Sequence, residues 1–381
     1  MHGLYIHFPF CSKKCRYCDF YSVTDTVVIN KIIESVIAEI KLRGTEFHQG
    51  EIVDTVFIGG GTPSLMSPEQ LEFLMTAVRK YFRLADNTEI TIECNPGTIT
   101  IESLSAYRNT GVNRLSIGVQ SFVAEELEFL GRIHDAGEAE KALVIASEAG
   151  FDNINADIIF SVPGQTAFTL EYTLNKLLEL EPAHISAYCL IYENGTPLFN
   201  DMKSGKVVKY SDEMDAKFFE VVSGRLTAAG YEHYEVSNFA LKGRKCQHNL
   251  KYWAGCEYFG IGPSAHGFIN GRRYWNYRSV TNYIRYLSEG RLPVEGYEEL
   301  TKKQKIAERI LLGLRSEGID TTAFKSEFGI DLLQEELRFF EELKISGYLY
   351  FENGRICLTT KGYLLSDEIS VKLCSLIEKS K

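Results

Sequence analysis

Apolar residues recur along the first half of the chain in two alternating rhythms. Short apolar segments at Leu4–Phe8, Asp54–Ile58, Glu89–Glu93, Arg114–Gly118, Asn153–Ile159 and His184–Leu190 read as strands. Between them, apolar residues fall three and four apart. Ile29–Leu42 sets Ile32, Ile33, Val36, Ile37 and Ile40 on one face and predicts an amphipathic helix. Ser67-Pro68-Glu69-Gln70 opens the next helix, with serine as N-cap, proline at the first helical position and glutamine placed to close a capping box. Further helices are predicted at Ile101–Asn109, Ala124–Leu130, Gly137–Ala149 and Phe168–Leu178. The strands are read as continuous apolar runs rather than alternating ones, as expected of parallel strands buried on both faces. Six βα units therefore predict an α/β chain with a parallel sheet, open or closed into a barrel.

The pattern changes after about Glu193. A helix at Asp212–Ala229 leads into a stretch rich in Gly, Tyr, Trp and His between Tyr231 and Tyr277. From about Leu300 a compact unit follows, with helices near Lys302–Arg315, Thr322–Phe328 and Leu332–Ser346, a hairpin (Tyr348–Phe351 and Arg355–Leu358) turning on Asn353-Gly354, and a closing helix. Three helices and a hairpin resemble a winged helix. The expected boundaries are 1–230 for the α/β unit, 231–295 for a connecting region and 296–381 for the winged-helix-like domain.

Composition narrows the function. The chain has 381 residues and a formal net charge of −10, and from Thr301 onward 13 basic residues balance 13 acidic ones. Phosphate contact needs clustered positive charge, so nucleic acid is not the expected partner despite the winged-helix pattern. No apolar run is long enough to span a membrane. The N-terminus lacks a signal-peptide profile, so a cytoplasmic location is expected. Nine cysteines, an odd number, argue against a disulfide framework. Cys94, Cys189, Cys246, Cys256, Cys357 and Cys374 are scattered and read as small buried hydrophobes.

The other three stand together in Cys11-Ser12-Lys13-Lys14-Cys15-Arg16-Tyr17-Cys18, directly after the first strand. Thiolates so close in sequence are expected to converge on one point. A Cys3His zinc site would need His7 or a distant fourth ligand. A redox pair needs only two cysteines. Three thiolates suit a four-iron cluster with one iron left open.

The C-x3-C-x2-C spacing after the first strand of a βα barrel resembles the signature of radical S-adenosylmethionine enzymes. That resemblance implies a partial (β/α)6 barrel, a [4Fe-4S] cluster held by Cys11, Cys15 and Cys18, and S-adenosyl-L-methionine chelating the open iron. It also implies that an electron from the cluster breaks the sulfonium to release a 5′-deoxyadenosyl radical. Further phrases are Tyr5-Ile6-His7-Phe8-Pro9-Phe10-Cys11, Gly59-Gly60-Gly61-Thr62-Pro63, Glu93-Cys94-Asn95-Pro96, Gly118–Phe122 and Leu130–His134. Together they resemble the oxygen-independent coproporphyrinogen III oxidases and their relatives, the HemW heme chaperones, over essentially the whole chain. The resemblance implies that Tyr5, Gly60, Gly61, Thr62, Glu93, Gln120, Arg132 and Asp157 contact S-adenosylmethionine. Taken singly, these residues have plainer readings: a tight turn for the glycines, loop hydrogen bonding for Glu93, Gln120 and Asp157, a solvated helix end for Arg132, and a core aromatic for Tyr5.

Two departures separate the branches. The oxidases carry a fourth cysteine two residues after the third, where this chain has Phe20, and they have an extension ahead of the first strand, where this chain has only a few residues. Both weigh against coproporphyrinogen III oxidase activity. His248-Asn249-Leu250-Lys251-Tyr252-Trp253 resembles the HNxxYW motif associated with heme binding in the chaperones. Imidazole is a common axial ligand of heme iron, which makes His248 the candidate heme residue. A hydrogen-bonded loop histidine is its plainer reading, and Cys246 and His266 lie nearby in sequence. The expectation is a radical-SAM protein of porphyrin metabolism that binds heme and passes it to a recipient hemoprotein, supplied with electrons by a reductant protein. Oxidative decarboxylation of coproporphyrinogen III to protoporphyrinogen IX is the alternative, and a radical enzyme acting on an unrelated substrate is a third reading.

Overall fold

In a computed structural model the protein is described over residues 1–47 and 51–379. In chain order the elements begin with β1 (His2–Phe8), α1 (Ile29–Glu46), β2 (Val53–Gly60), α2 (Pro68–Tyr81), β3 (Leu84–Cys94), α3 (Ile101–Asn109) and β4 (Arg114–Gln120). Then come α4 (Ala124–Leu130), α5 (Ala136–Glu148), β5 (Ile154–Phe160), α6 (Ala167–Glu179), β6 (His184–Cys189), α7 (Pro197–Lys203) and α8 (Asp212–Ala228). Next are β7 (Glu232–Glu235), β8 (Asn238–Ala240), α9 (Gln247–Trp253), β9 (Tyr258–Ile261), β10 (His266–Ile269), β11 (Arg272–Asn276), α10 (Val280–Ser288) and β12 (Val294–Glu299). The chain ends with α11 (Lys302–Leu314), β13 (Ile319–Asp320), α12 (Thr321–Phe328), α13 (Leu332–Glu335), α14 (Leu337–Ile345), β14 (Leu349–Glu352), β15 (Arg355–Leu358), α15 (Thr360–Tyr363) and α16 (Ser366–Lys379).

The chain forms two compact units. The first is Met1–Phe218 with Glu257–Glu298, and the second is Phe219–Cys256 with the residues from Glu299 onward. In the first, β1 to β6 lie side by side in parallel, as six βα units require. The sheet continues past β1. Strand β9 joins it in parallel, with Gly3 opposite Tyr258, and β10, β11 and β12 follow. The sheet is mixed and open rather than closed into a barrel. The capping box at Ser67 and Gln70 forms as its residues predict, and so does the one at Thr166 and Thr169.

The boundaries differ from those expected. The stretch 231–295 is divided between the units: residues up to Cys256 belong to the second, and those from Glu257 to the first, where β9 pairs with β1 and β10 to β12 extend the sheet around α10. The earlier part belongs with the C-terminal elements: Val236 N–H donates to Arg315 O at 2.9 Å, and Arg309 donates to Ala254 O.

The strand faces also correct the sequence reading. β3 to β6 do not run continuously apolar. One face carries Leu4, Ile6, Val56, Ile58, Ile90, Ile92, Leu115, Ile117, Ala156, Ile158, Ile185 and Ala187, all buried. Register places the residues between them together on the other face: Tyr5 beside Phe57, Phe57 beside Thr91, Thr91 beside Arg114, Glu93 beside Ser116, Ser116 beside Asn155, and Asp157 beside Ser186. A period of two puts alternate residues on opposite faces. The aliphatic set is the core under the helices, and the polar and aromatic set is a lumen able to satisfy a polar ligand.

The second unit holds the β7–β8 hairpin, α9, and an order of helix, strand, helix, helix and hairpin that is a winged helix. Its sheet is β13–β15–β14, all antiparallel. The hairpin turns on Asn353 (φ 49°) and Gly354 (φ 75°), the two left-handed residues that a two-residue turn needs. The helix expected over Leu332–Ser346 is instead two, α13 and α14, broken at Glu336 (φ −124°, ψ 27°).

Candidate functional site

The lumen of the first unit opens at the C-terminal ends of its strands, and there the backbone leaves ordinary conformations. Gly60 ends β2 at φ 111°, Gln120 ends β4 at φ 67°, and Ser161 follows β5 at φ 63°. A non-glycine residue in the left-handed region costs energy and persists where the surroundings hold it. The β4–β5 register slips between Ile117 and Gln120, a bulge that re-aims the Gln120 side chain.

The cysteine loop leaves β1 at this end. It is tied down by Cys11 N–H to Val23 O at 3.0 Å and by Thr62 N–H to Phe10 O at 2.7 Å. Gly61 is needed there, since a Cβ on it would lie 2.4 Å from Phe10 O. Thr62 Oγ1–H points at Cys11 Sγ, 3.6 Å away. Cys11, Cys15 and Cys18 are all half-buried. Burial is the main cause that pushes the Cys18 thiol up to about 11, so binding a metal there must expel a proton. The three thiols are close enough for Cys15 and Cys11 to act on Cys18 electrostatically, although among the described residues no three His, Cys, Asp or Glu side chains are grouped to hold one metal ion. Thiolates that bind separate irons of a cube have no need to meet at a single ion.

A zinc reading that draws on His7 also fails. A carbonyl can only accept, so His7 Nε2–H donates to Tyr21 O at 2.9 Å, and Tyr5 Oη–H then donates to His7 Nδ1 at 3.0 Å. Both ring nitrogens are committed. Burial lowers the imidazole to about 4, which keeps it neutral.

Arg132 is the hub of the opposite wall. Its Nη1 lies 3.4 Å from both Cys15 Sγ and Tyr17 Oη. Its Nη2 donates to Gly118 O at 2.9 Å and to Asn95 Oδ1. Its Nε–H is buried with no hydrogen-bond partner among the described residues. A buried guanidinium donor left over in this way suits a carboxylate. Nearby, Gly60 N–H donates to Glu93 Oε2 at 2.9 Å. Burial, then repulsion from Asp157, raises the Glu93 carboxyl to about 7. Asp157 is itself raised by burial, against donors Asn155 Nδ2 at 2.8 Å and Ser116 Oγ at 3.2 Å. Two crowded carboxyls are relieved by hydroxyl or ammonium donors.

The lumen thus gathers Tyr5, Gly60, Gly61, Thr62, Glu93, Gln120, Arg132 and Asp157 around the loop. Sequence reading missed Tyr17 and Asn95 on Arg132. It also missed the clamp on Arg16, whose Nη2 meets Asp201 Oδ2 at 2.7 Å and whose Nη1 donates to Phe129 O at 3.2 Å. Arg16 and Tyr17 stand inside the cysteine loop, which was the available signal. Asp201 had none.

His248 lies in the second unit, on α9 rather than on a loop. It is only 1% exposed, and its Nε2 is hydrogen-bonded to Tyr252 Oη at 2.8 Å. Leu250 and Trp253 of the same motif line a cleft of about 270 Å³ together with Phe324, Arg309 and Arg355. Of the scattered cysteines, Cys94, Cys246 and Cys357 are buried as expected, and Cys189, Cys256 and Cys374 are only half-buried. No helix among the described residues is long and apolar enough to cross a membrane.

Residues 5–177 match the Radical SAM superfamily and residues 300–365 the HemN C-terminal domain. The cysteine loop at the mouth of a parallel sheet is that of a radical-SAM protein. Heme chaperone HemW of Bacillus subtilis is 36% identical over 97% of this chain and 98% of its own. Heme chaperone HemW of Escherichia coli is 42% identical, covering 71% of each chain. The chain belongs to the HemW family. A solved structure of coproporphyrinogen III oxidase (HemN) from Escherichia coli, a radical SAM enzyme, superposes with a TM-score of 0.83 at 24% identity, covering 98% of this chain and 90% of that one, which is a likeness of fold.

Proposed function

We propose that this chain is a heme-binding chaperone built on a radical-SAM scaffold, which takes up heme and delivers it to a hemoprotein. The observation that carries the reading is full-length kinship with curated heme chaperones. It is joined by Phe20, 64% exposed, at the position where the oxidases carry a further cysteine.

Cys11, Cys15 and Cys18 would hold a [4Fe-4S] cluster. Tyr5, Gly60, Gly61, Thr62, Glu93, Gln120, Arg132 and Asp157 would hold S-adenosylmethionine. When bound, this pair supplies one-electron chemistry, with electrons from a reductant protein. The donor set fits. The unpartnered Arg132 Nε–H would bind a carboxylate. Glu93 and Asp157, both displaced toward the protonated form, would accept from amino or hydroxyl groups and become fully ionised in doing so. Arg132 also donates to Cys15 Sγ, and hydrogen bonds to a ligating sulfur tune a metal centre. Direct use of His248 on heme iron would require breaking its bond to Tyr252 and uncovering α9.

The test uses the anaerobically reconstituted full chain, titrated separately with heme and with coproporphyrinogen III plus reductant and S-adenosylmethionine. The expected result is a heme Soret band, transfer of that heme to an apo-hemoprotein, and no protoporphyrinogen. Turnover of coproporphyrinogen without uptake of heme would replace this reading with the oxidase one.

A further inference from the structure

The lumen face continues beyond the cysteine loop onto the strands that the sequence did not reveal. Tyr258 on β9 shares a face with Phe268 on β10, and Phe268 with Arg273 on β11. His266 stands directly opposite Trp275, their rings 6.0 Å apart and inclined by 30°. Cross-strand partners lie on the same face, so Tyr258, His266, Phe268, Arg273 and Trp275 form one tract. The opposite face of β11 is spoken for, because Tyr274 and Asn276 are buried against Glu39 and Arg43 of α1. The Trp275 indole packs closely on Gly296, where a Cβ would come within 2.3 Å of its ring. The tract adjoins the cysteine loop, since Arg278 Cζ lies 5.5 Å from the Tyr21 ring that also stacks on His7.

We infer that this tract is the heme-binding surface of the first unit, with His266 as the iron ligand, Trp275 and Phe268 as the apolar bed, and Arg273 and Arg278 as the carboxylate clamps. The inference rests on the heme-chaperone reading and assigns its residues. The chemistry matches on three counts. His266 is exposed, whereas the His248 ring is sealed and bonded. Partial burial, then the charges of Arg273 and Arg278, lowers the His266 imidazole from its ordinary pKa, a shift in the direction of the neutral form that ligates metal. A planar macrocycle with two propionates needs a flat aromatic bed and two cations at one edge. Arg278 is exposed, and Arg273 pairs at 3.7 Å with half-exposed Glu298, a surface ion pair of the kind worth little in water.

The experiment titrates ferric heme, and separately its dimethyl ester, into the anaerobically reconstituted full chain. Variants are His266→Ala, His248→Ala and the double Arg273→Gln/Arg278→Gln, each checked for cluster absorbance and melting temperature. For His266→Ala, affinity is expected to fall by roughly tenfold or more, with loss of the imidazole-ligated low-spin signature and its recovery on adding free imidazole. The arginine pair variant should bind acid and ester alike, whereas the wild type prefers the acid. His266→Ala with unchanged spectrum and affinity, while His248→Ala loses both, overturns the assignment and leaves the chaperone reading intact. A wild-type chain that takes up no heme removes both.

Discussion

Glu39 is the residue on which the added strands hang. It lies on α1 and is completely buried, as is most of its partner Arg43, whose Nε is 3.5 Å away. Tyr283 Oη–H donates to it at 2.6 Å, Asn276 Nδ2–H at 2.8 Å and Gly262 N–H at 2.9 Å. These three donors come from α10, from the end of β11 and from the turn before β10. One carboxylate therefore fastens the β9–β11 extension to α1. Glu39→Ala would strand a buried guanidinium and three buried donors. Breaking a buried pair from one side costs about 3–5 kcal/mol, and the orphaned donors place this case at the upper end. Glu39→Gln keeps an acceptor and should cost less. Arg43→Met should also cost less than Glu39→Ala, because the three donors keep their acceptor. Urea unfolding of the full chain, arranged as a double-mutant cycle on Glu39 and Arg43, measures the coupling, which is expected within about 0.5–3 kcal/mol. The loss should reach the site, because Gly262 packs so closely on His7 that a Cβ would lie 2.4 Å from His7 O. A Glu39→Ala chain within about 1 kcal/mol of wild type, below the range for a broken buried pair, would refute the reasoning.

Three further outcomes are expected. Gly61→Ala should force the cysteine loop away from Phe10 O, at a cost of about 1–3 kcal/mol, and iron and sulfide analysis should find less cluster per chain; full loading would show that the turn can give. Arg16→Ala removes a half-exposed ion pair with Asp201, worth about 1 kcal/mol or less, yet it should shorten the lifetime of the cluster in air, with partial rescue by Arg16→Lys; equal bleaching rates would mean that the clamp is idle. Burial raises Glu235 to about 8, so the folded chain holds a proton there that the unfolded chain gives up near 4.5. That stability is complete below pH 4.5 and is lost as pH rises toward 8, by about 2 kcal/mol between pH 6.5 and 8. Burial lowers His233 to about 4, and its contribution falls away only below pH 6.5. Unfolding of Glu235→Gln should therefore show a shallower alkaline slope, the remainder coming from other raised carboxyls such as Glu93, and parallel slopes in the two proteins would exclude this account.

The sequence by itself determined what short-range physics controls. The Ser67–Gln70 box, the Asn353-Gly354 turn and the bounds of α3 and α4 follow from residues within a few positions of one another. The cysteine loop and the polar residues closing β2 to β5 were legible because strand ends are fixed points in a βα repeat. Tertiary structure alone decided the rest. Nothing local announces that Tyr258 will lie beside Gly3, or that Glu39 will collect donors from three distant elements, because such pairings are chosen by which surfaces bury together. The same holds for Glu336, where the chain breaks a helix without Gly or Pro. It holds too for the two histidines, since His248 and His266 both sit among aromatic residues in the sequence, and only packing turns one inward onto Tyr252 and leaves the other open on the lumen.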